Sequence, residues 1–421
     1  MKRPDKKATD TPRERSLLST LALMATTGAM AALIAAPLLA GSSCKSDKER
    51  PDAGVVLPDS KLGATCDAEP NNWQVADHGI PAKSDGGSRP NLFSIWGVDE
   101  NTIWTVGSEG TILYWDGTKW TREASPTEVT LTSVWGTSEN DVFAVGFDGT
   151  VLRRQVVPGV PEPKWAAVPV PIDVFVTDAV DGGPPQGDAA AAIIRNLWGV
   201  WAVANSKGET TELYTVGDRG TVLYFDVTQN VWTRVASGVE EKLTGVWGRS
   251  GGRVFIVGDF GTVLSGTKDG LSKMQTGVSK ALRAVWGRRN NDVYAVGLSG
   301  LVLHYNGTKW TNVEGAPPQV LRGVWGPQND TRTTYLIGWD GVLLRMTGEP
   351  PFTHGATFDA FNCVSRNRLE AIWGTEVDGL WPDAGPPDAA INDAGVASDL
   401  AVPRVPGIWI VGVNETMITG P

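Results

Sequence analysis

Residues 95–120 read IWGVDENTIWTVGSEGTILYWDGTKW, and this stretch decides the fold. Trp96-Gly97 closes a short apolar run. A second run ends at Val106-Gly107, and Ser108-Glu109 then lies between two glycines, Gly107 and Gly110. A third strand follows at Thr111-Ile112-Leu113-Tyr114. Asp116-Gly117 is a strong tight-turn dipeptide, because both central residues of such a turn take positive φ. Trp120 opens a fourth strand. The unit is four short antiparallel strands in about 40 residues, a length typical of propeller blades.

The unit recurs along the chain. Trp-Gly follows a short apolar strand at Trp96, Trp135, Trp198, Trp247, Trp286, Trp325 and Trp373. The apolar-Gly end of the second strand recurs at Gly107, Gly146, Gly217, Gly258, Gly297, Gly338 and Gly412. In six repeats another glycine comes three residues later, at Gly110, Gly149, Gly220, Gly261, Gly300 and Gly341. Second strands such as Val142-Phe143-Ala144-Val145 are apolar on both faces. A sheet with one wet face would alternate, so both faces must be buried. Blades stacked around an axis meet that demand. The reading is an all-β, seven-bladed β-propeller of four-stranded blades. The seventh repeat stops at Ile418-Thr419-Gly420-Pro421 without a fourth strand, and Asn71-Asn72-Trp73-Gln74 is a strand without a blade. Pairing the two would close the ring with an N-terminal strand that completes the last blade, and would remove the exposed edges.

Composition agrees. Gly is 50 and Trp 18 of 421 residues, which suits short strands and tight turns and excludes a helical bundle. The net charge of −10 argues against a nucleic-acid partner. With three His and three Cys there is little material for a metal or thiol centre, and His78, His304 and His354 show no ligand spacing. No metal and no cofactor are expected.

The N-terminus reads as an address. Lys2, Arg3, Lys6, Lys7, Arg13 and Arg15 precede an apolar run from Leu17 to Ala40, the pattern of an export signal. Gly41-Ser42-Ser43-Cys44 resembles the bacterial lipobox, with Gly41 where a Leu is usual. The expectation is a lipoprotein-type signal over 1–43, lipidation at Cys44, and outer-membrane sorting from Lys45. Cleavage near Ala40 or an uncleaved anchor are the alternatives, and would leave the chain periplasmic, secreted or membrane-bound. Residues 44–70, rich in Pro, Asp and Ala, read as a flexible tether before a propeller over 71–421. Two similar stretches, Val156 to Ala192 and Glu376 to Pro406, read as mobile, disordered insertions. Neither has the alternating oxygen ligands and closing Glu of a calcium loop. With Cys44 lipidated, Cys66 and Cys363 remain, both just upstream of blade-seven strands, and are expected to form a disulfide.

Val106-Gly107-Ser108-Glu109-Gly110-Thr111-Ile112-Leu113 and Trp115-Asp116-Gly117-Thr118-Lys119-Trp120 resemble Asp-box (bacterial neuraminidase) repeats and the propellers of photosystem II assembly factors. The resemblance spans about 71–421 and implies the propeller. The Asp-box pattern Ser-x-Asp-x-Gly-x-x-Trp is intact nowhere, so no sialidase site is carried over.

The candidate site lies on the turns between strands two and three. These carry Ser108-Glu109, Phe147-Asp148, Asp218-Arg219, Asp259-Phe260, Leu298-Ser299, Trp339-Asp340 and, in blade seven, Asn414-Glu415. Six blades so place a carboxylate near the channel mouth: Glu109, Asp148, Asp218, Asp259, Asp340 and Glu415. Phe147, Phe260 and Trp339 add aromatics, and Arg219 a cation. Asp beside Gly is also ordinary turn chemistry. The functional reading is a surface for a cationic protein segment or a glycan at the cell envelope, on a monomeric scaffold. A carbohydrate-active enzyme and a purely structural envelope protein are the alternatives. Arg288-Arg289, read as part of a loop between strands one and two, offers no sialidase cluster, and the seven Trp-Gly tryptophans are expected to pack between blades.

Overall fold

The computed structural model describes residues 74–75, 89–375 and 407–420, except 157–158, 160–161, 176–194, 250–252, 351, 353–354, 362–364, 366 and 414–415. These form seven four-stranded antiparallel sheets. Six blades follow one another in sequence, over 92–122, 131–167, 197–234, 243–273, 282–312 and 321–360. The seventh takes its first three strands from 369–374, 408–412 and 417–420. Gln74–Val75 pairs antiparallel with its third strand, Gln74 opposite Thr419 and Val75 opposite Ile418.

Strand one is innermost. Leu92–Asp99, Leu131–Ser138, Leu197–Ala204, Leu243–Gly248, Leu282–Arg289, Leu321–Trp325 and Leu369–Gly374 each touch the strand one on either side, and the seventh touches the first. A seven-bladed ring results. The leucine that opens each of these strands is fully buried in all seven blades. Second strands such as Asp141–Gly146 and Val254–Gly258 are buried along their whole length. Outer strands such as Gly270–Lys273 and Thr357–Ala360 are exposed.

The Trp-Gly pair has a packing cause. A Cβ added at Gly136 would lie 2.6 Å from the Trp96 ring of the preceding blade. Gly287 stands in the same relation to Trp247, Gly374 to Trp325, and Gly97 to Trp373 across the point where the ring closes. These indoles therefore lie on a glycine of the next blade; for Trp135 the matching residue is Ala202. Hydrogen bonds add to the seams: Val134 N–H donates to Ser94 Oγ at 3.1 Å, and Thr132 Oγ1 donates to the Leu197 carbonyl at 2.7 Å.

Three sequence readings change. First, the blade-three tryptophan of this set is Trp201, not Trp198. Trp201 pairs with Tyr214 as Trp135 does with Phe143 and Trp247 with Phe255. Trp198 is the second residue of its strand, and its following glycine is a coincidence of sequence. Second, Arg288 and Arg289 end strand one of blade five instead of lying in a loop. Arg288 is buried. Its Nε donates to the Pro327 carbonyl at 2.8 Å, and its Nη2 donates to the Thr333 carbonyl and to Thr334 Oγ1. Third, the insertion at 156–192 is ordered in part. Lys164–Ala167 is strand four of blade two, and a short 3₁₀ turn at Ile172–Phe175 buries Phe175 against blade three. The insertion at 376–406, the segments 1–43 and 44–70, Cys44, Cys66, Cys363 and Glu415 lie outside the described residues.

Candidate functional site at the channel mouth

The strands-two-to-three turns share one geometry. In blade one, Thr111 N–H donates to the Ser108 carbonyl, and Ser108 N–H donates to the carbonyl of Asn91, just before strand one. The second turn residue takes a left-handed backbone in six blades: Glu109, Asp148, Arg219, Phe260, Ser299 and Asp340, with φ from 51° to 60°. All six are exposed. In blade seven the matching closure is Thr416 N–H to the Val413 carbonyl. The first turn residue there is Val413, one residue earlier than the sequence reading had it.

The first turn residues are engaged by strand one or the residue before it. Ser108 Oγ accepts from Asn91 N–H at 3.0 Å. The Phe147 ring meets Trp198 edge-on at 5.3 Å. Asp218 Oδ1 accepts from Trp198 Nε1 at 2.8 Å. Asp259 Oδ1 accepts from Arg283 Nη1 at 2.7 Å. The Arg368 guanidinium lies 4.4 Å from the centre of the Trp339 ring. Phe260 differs: its side chain makes no ring or cation contact among the described residues, and it is 72% exposed. A β or α backbone accommodates Phe readily, whereas the left-handed region brings its Cβ against the following carbonyl.

Beneath the turns lies a central cavity of about 640 Å³ lined by strand one of all seven blades. Its mouth is built from the second residue of each of these strands: Phe93, Thr132, Trp198, Thr244, Arg283, Arg322 and Glu370. The sequence reading passed over this position. Its signal was available as the residue that varies in a Leu-x-x-(Val/Ile)-Trp motif whose other ends repeat. Glu370 has a fully buried carboxylate shared by two cations, Arg322 Nε at 2.6 Å and Arg368 Nη2 at 2.9 Å. Lys242, just before strand one of blade four, places its ammonium 3.1 Å from the centre of the Trp198 ring. Burial lowers the Lys242 ammonium below the ordinary lysine range. Arg283 and Arg322 push the same way, and Asp218 and Asp259 oppose them.

The fold has many solved relatives, all distant among those named here. YCF48 bound to D1 peptide is 12% identical over 84% of this chain and 97% of its own, with a TM-score of 0.53. The WD40 β-propeller domain of Doa1 is 11% identical over 83% and 97%, with a TM-score of 0.52. Virginiamycin B lyase from Staphylococcus aureus is 10% identical over 83% and 98%, with a TM-score of 0.57. At these identities the likeness is one of fold alone. No family model and no curated protein matches the sequence.

Elsewhere the charged clusters are packing devices. Arg154 is buried between blades one and two, where its Nε donates to the Glu123 carboxylate; that carboxylate also accepts from Trp104 Nε1 and from Trp165 Nε1 at 2.6 Å. Arg153 grips Asp141 through two bonds of 2.7 and 3.0 Å. His304 Nε2 and Asp292 Oδ1 are 2.9 Å apart, with Arg288 on the second carboxylate oxygen. Among the described residues, no three His, Cys, Asp or Glu side chains gather as a metal site.

Proposed function

We propose that this chain is a binding module whose turn face holds a protein segment, tethered at the cell envelope through a lipid on Cys44. The observation that carries the reading is Phe260: a large aromatic on a left-handed backbone, mostly exposed, next to Asp259, whose carboxylate holds the cavity-lining Arg283. Backbone strain of this kind costs on the order of 1 kcal/mol and persists where something other than local stability maintains it. A protein partner fits the mouth better than a glycan. Sugars stack on open aromatic faces, and here Lys242 lies over Trp198 and Arg368 over Trp339. That YCF48 was solved with a peptide is consistent with this reading.

Hydrolysis of a glycosidic bond is the weaker reading. It needs two carboxyl groups within roughly 10 Å. The cavity-lining carboxylates are Glu370 at the start of a strand one and Asp99 and Glu100 at or just past the end of another. At ~3.3 Å per residue Glu370 is about 20 Å along the strand direction from the other two, and its carboxylate is fully buried between Arg322 and Arg368.

The test is capture from envelope extract by detergent-solubilised full-length protein, beside a Phe260→Ala/Trp339→Ala variant of unchanged melting behaviour. A partner held by the first and lost by the second is expected. Equal capture would move the site off the turn face. For the anchor, Cys44→Ala should shift the protein from the membrane to the soluble fraction; retention on the membrane would overturn the lipid attachment.

A further inference from the structure

The turn carboxylates suggest, from sequence, a cationic ligand. The inner rim has the opposite balance. Across blades four to seven, among the described residues, it carries Lys242, Arg283, Arg322 and Arg368, against Asp259, Asp340 and Glu370. Asp218, the next carboxylate round the rim, takes its hydrogen bond from Trp198. The surplus there is one positive charge beside the opening of the cavity.

The guanidiniums also have unused capacity. Each has five N–H donors in a planar fork. Arg283 gives one to Asp259, and Arg322 gives one to Glu370. Both line the cavity and occupy the same strand position in adjacent blades. Neither is swallowed by the fold: their side chains are 20% and 27% exposed. The Glu370 side chain has no exposed surface and so cannot itself meet a ligand; it competes with one by taking a hydrogen bond from each of Arg322 and Arg368. Packing between blades needs only the arrangement seen at Thr132 and Thr244, where the same strand position bonds the neighbouring backbone. Arginine there does something that packing does not require.

We infer that Arg283 and Arg322, backed by Lys242 and Arg368, form an anion cradle at the channel mouth that takes the side-chain carboxylates of an acidic protein segment. This rests on the binding-module reading and names the chemistry of its partner.

The experiment is calorimetric titration of the full-length protein in detergent with two probes. One is a tetraglutamate peptide acetylated and amidated at its ends; the other is free succinate. At low salt the peptide should bind saturably and at least tenfold more tightly than succinate, weakening as salt rises. Arg283→Gln should reduce peptide affinity about tenfold, the loss of one charge-assisted contact. Glu370→Gln releases Arg322 and Arg368 and should raise affinity severalfold, a gain that misfolding cannot produce. Arg345→Gln, on the outer surface against Asp359, should change nothing. Absence of saturable peptide binding, or affinity indifferent to both Arg283→Gln and Glu370→Gln, overturns the cradle. Succinate binding as tightly as the peptide overturns the protein segment and leaves a small dicarboxylate. The Phe260→Ala/Trp339→Ala variant keeps both arginines. If the unsubstituted protein captures an envelope partner that this variant loses, while the peptide fails to bind, the cradle falls and the binding-module reading loses only its proposed chemistry.

Discussion

Trp135 stacks on Trp201 with ring centroids 4.2 Å apart and planes inclined by 29°. The neighbouring pairs Trp96–Trp135 and Trp201–Trp247 are 6.0 Å apart and tilted by more than 50°. One methyl group sets this seam apart. Trp135 should lie on the residue after Trp201, which is Ala202, whereas its counterparts in the other blades lie on glycine. Denied that seat, Trp135 is the one member of the seven that is only half-buried.

Ala202→Gly should therefore let Trp135 settle onto strand one of blade three. The expected readout is reduced acrylamide quenching of tryptophan fluorescence, with little change in stability because glycine in a strand itself costs roughly 0.5–1 kcal/mol. Unchanged quenching would mean that the methyl is not what displaces the ring.

The reverse substitution should reproduce the displacement at a cost. A Cβ at Gly287 would lie 2.7 Å from the Trp247 ring. Gly287→Ala should destabilise by about 1–3 kcal/mol, the usual penalty of overpacking. Equilibrium denaturation checks the size, and increased quenching checks the mechanism.

The left-handed turn positions make a second pair of predictions. Ser299→Gly and Phe260→Gly both remove a Cβ from a backbone at φ 55° and should each stabilise by about 1 kcal/mol. Only Phe260→Gly should weaken capture of a partner. A stabilising change that costs binding is the signature of a residue kept for contact, and thermal melting with the capture assay reads both.

Asp292 sets a pH dependence. Its burial favours the neutral acid, but the His304 hydrogen bond and the Arg288 guanidinium outweigh that and hold it below the ordinary carboxylate range. A depressed folded-state value means stability that is present above the unfolded value of about 4 and is lost as pH falls through the folded one. Asp292→Asn should be several kcal/mol less stable at pH 7, since it strands a buried guanidinium. That difference should shrink as pH drops below about 4. A constant difference from pH 7 to pH 3 would contradict the assignment.

The proposed Cys66–Cys363 bridge is read by alkylation of unreduced protein followed by mass spectrometry. No modification at either thiol is expected. Such a long closed loop would contribute on the order of 4–5 kcal/mol in the chain-entropy view.

How much of this was legible in the sequence depends on what repeats. Blade number, strand order and turn positions follow from Trp-Gly, the paired glycines and the hairpin dipeptides, because each answers a constraint that every blade shares. A ring must fit against its neighbour, and a left-handed turn needs glycine at Gly110 or Gly341. The sequence misled where two solutions look alike. Trp198-Gly199 imitates the motif, and only the pairing of Trp201 with Tyr214 shows which indole faces the next blade. The turn face with Phe147, Phe260 and Trp339 can be read from the sequence, but the partners of its charged groups cannot. Whether Asp259 offers a free carboxylate depends on Arg283, 24 residues away on the next blade, and whether Glu370 is exposed depends on Arg322, 48 residues away. Local chemistry and periodicity are properties of neighbours along the chain and can be read there. The balance of charge at a channel mouth is set by side chains that seven separate strands bring to one opening, and closing the ring is what brings them together.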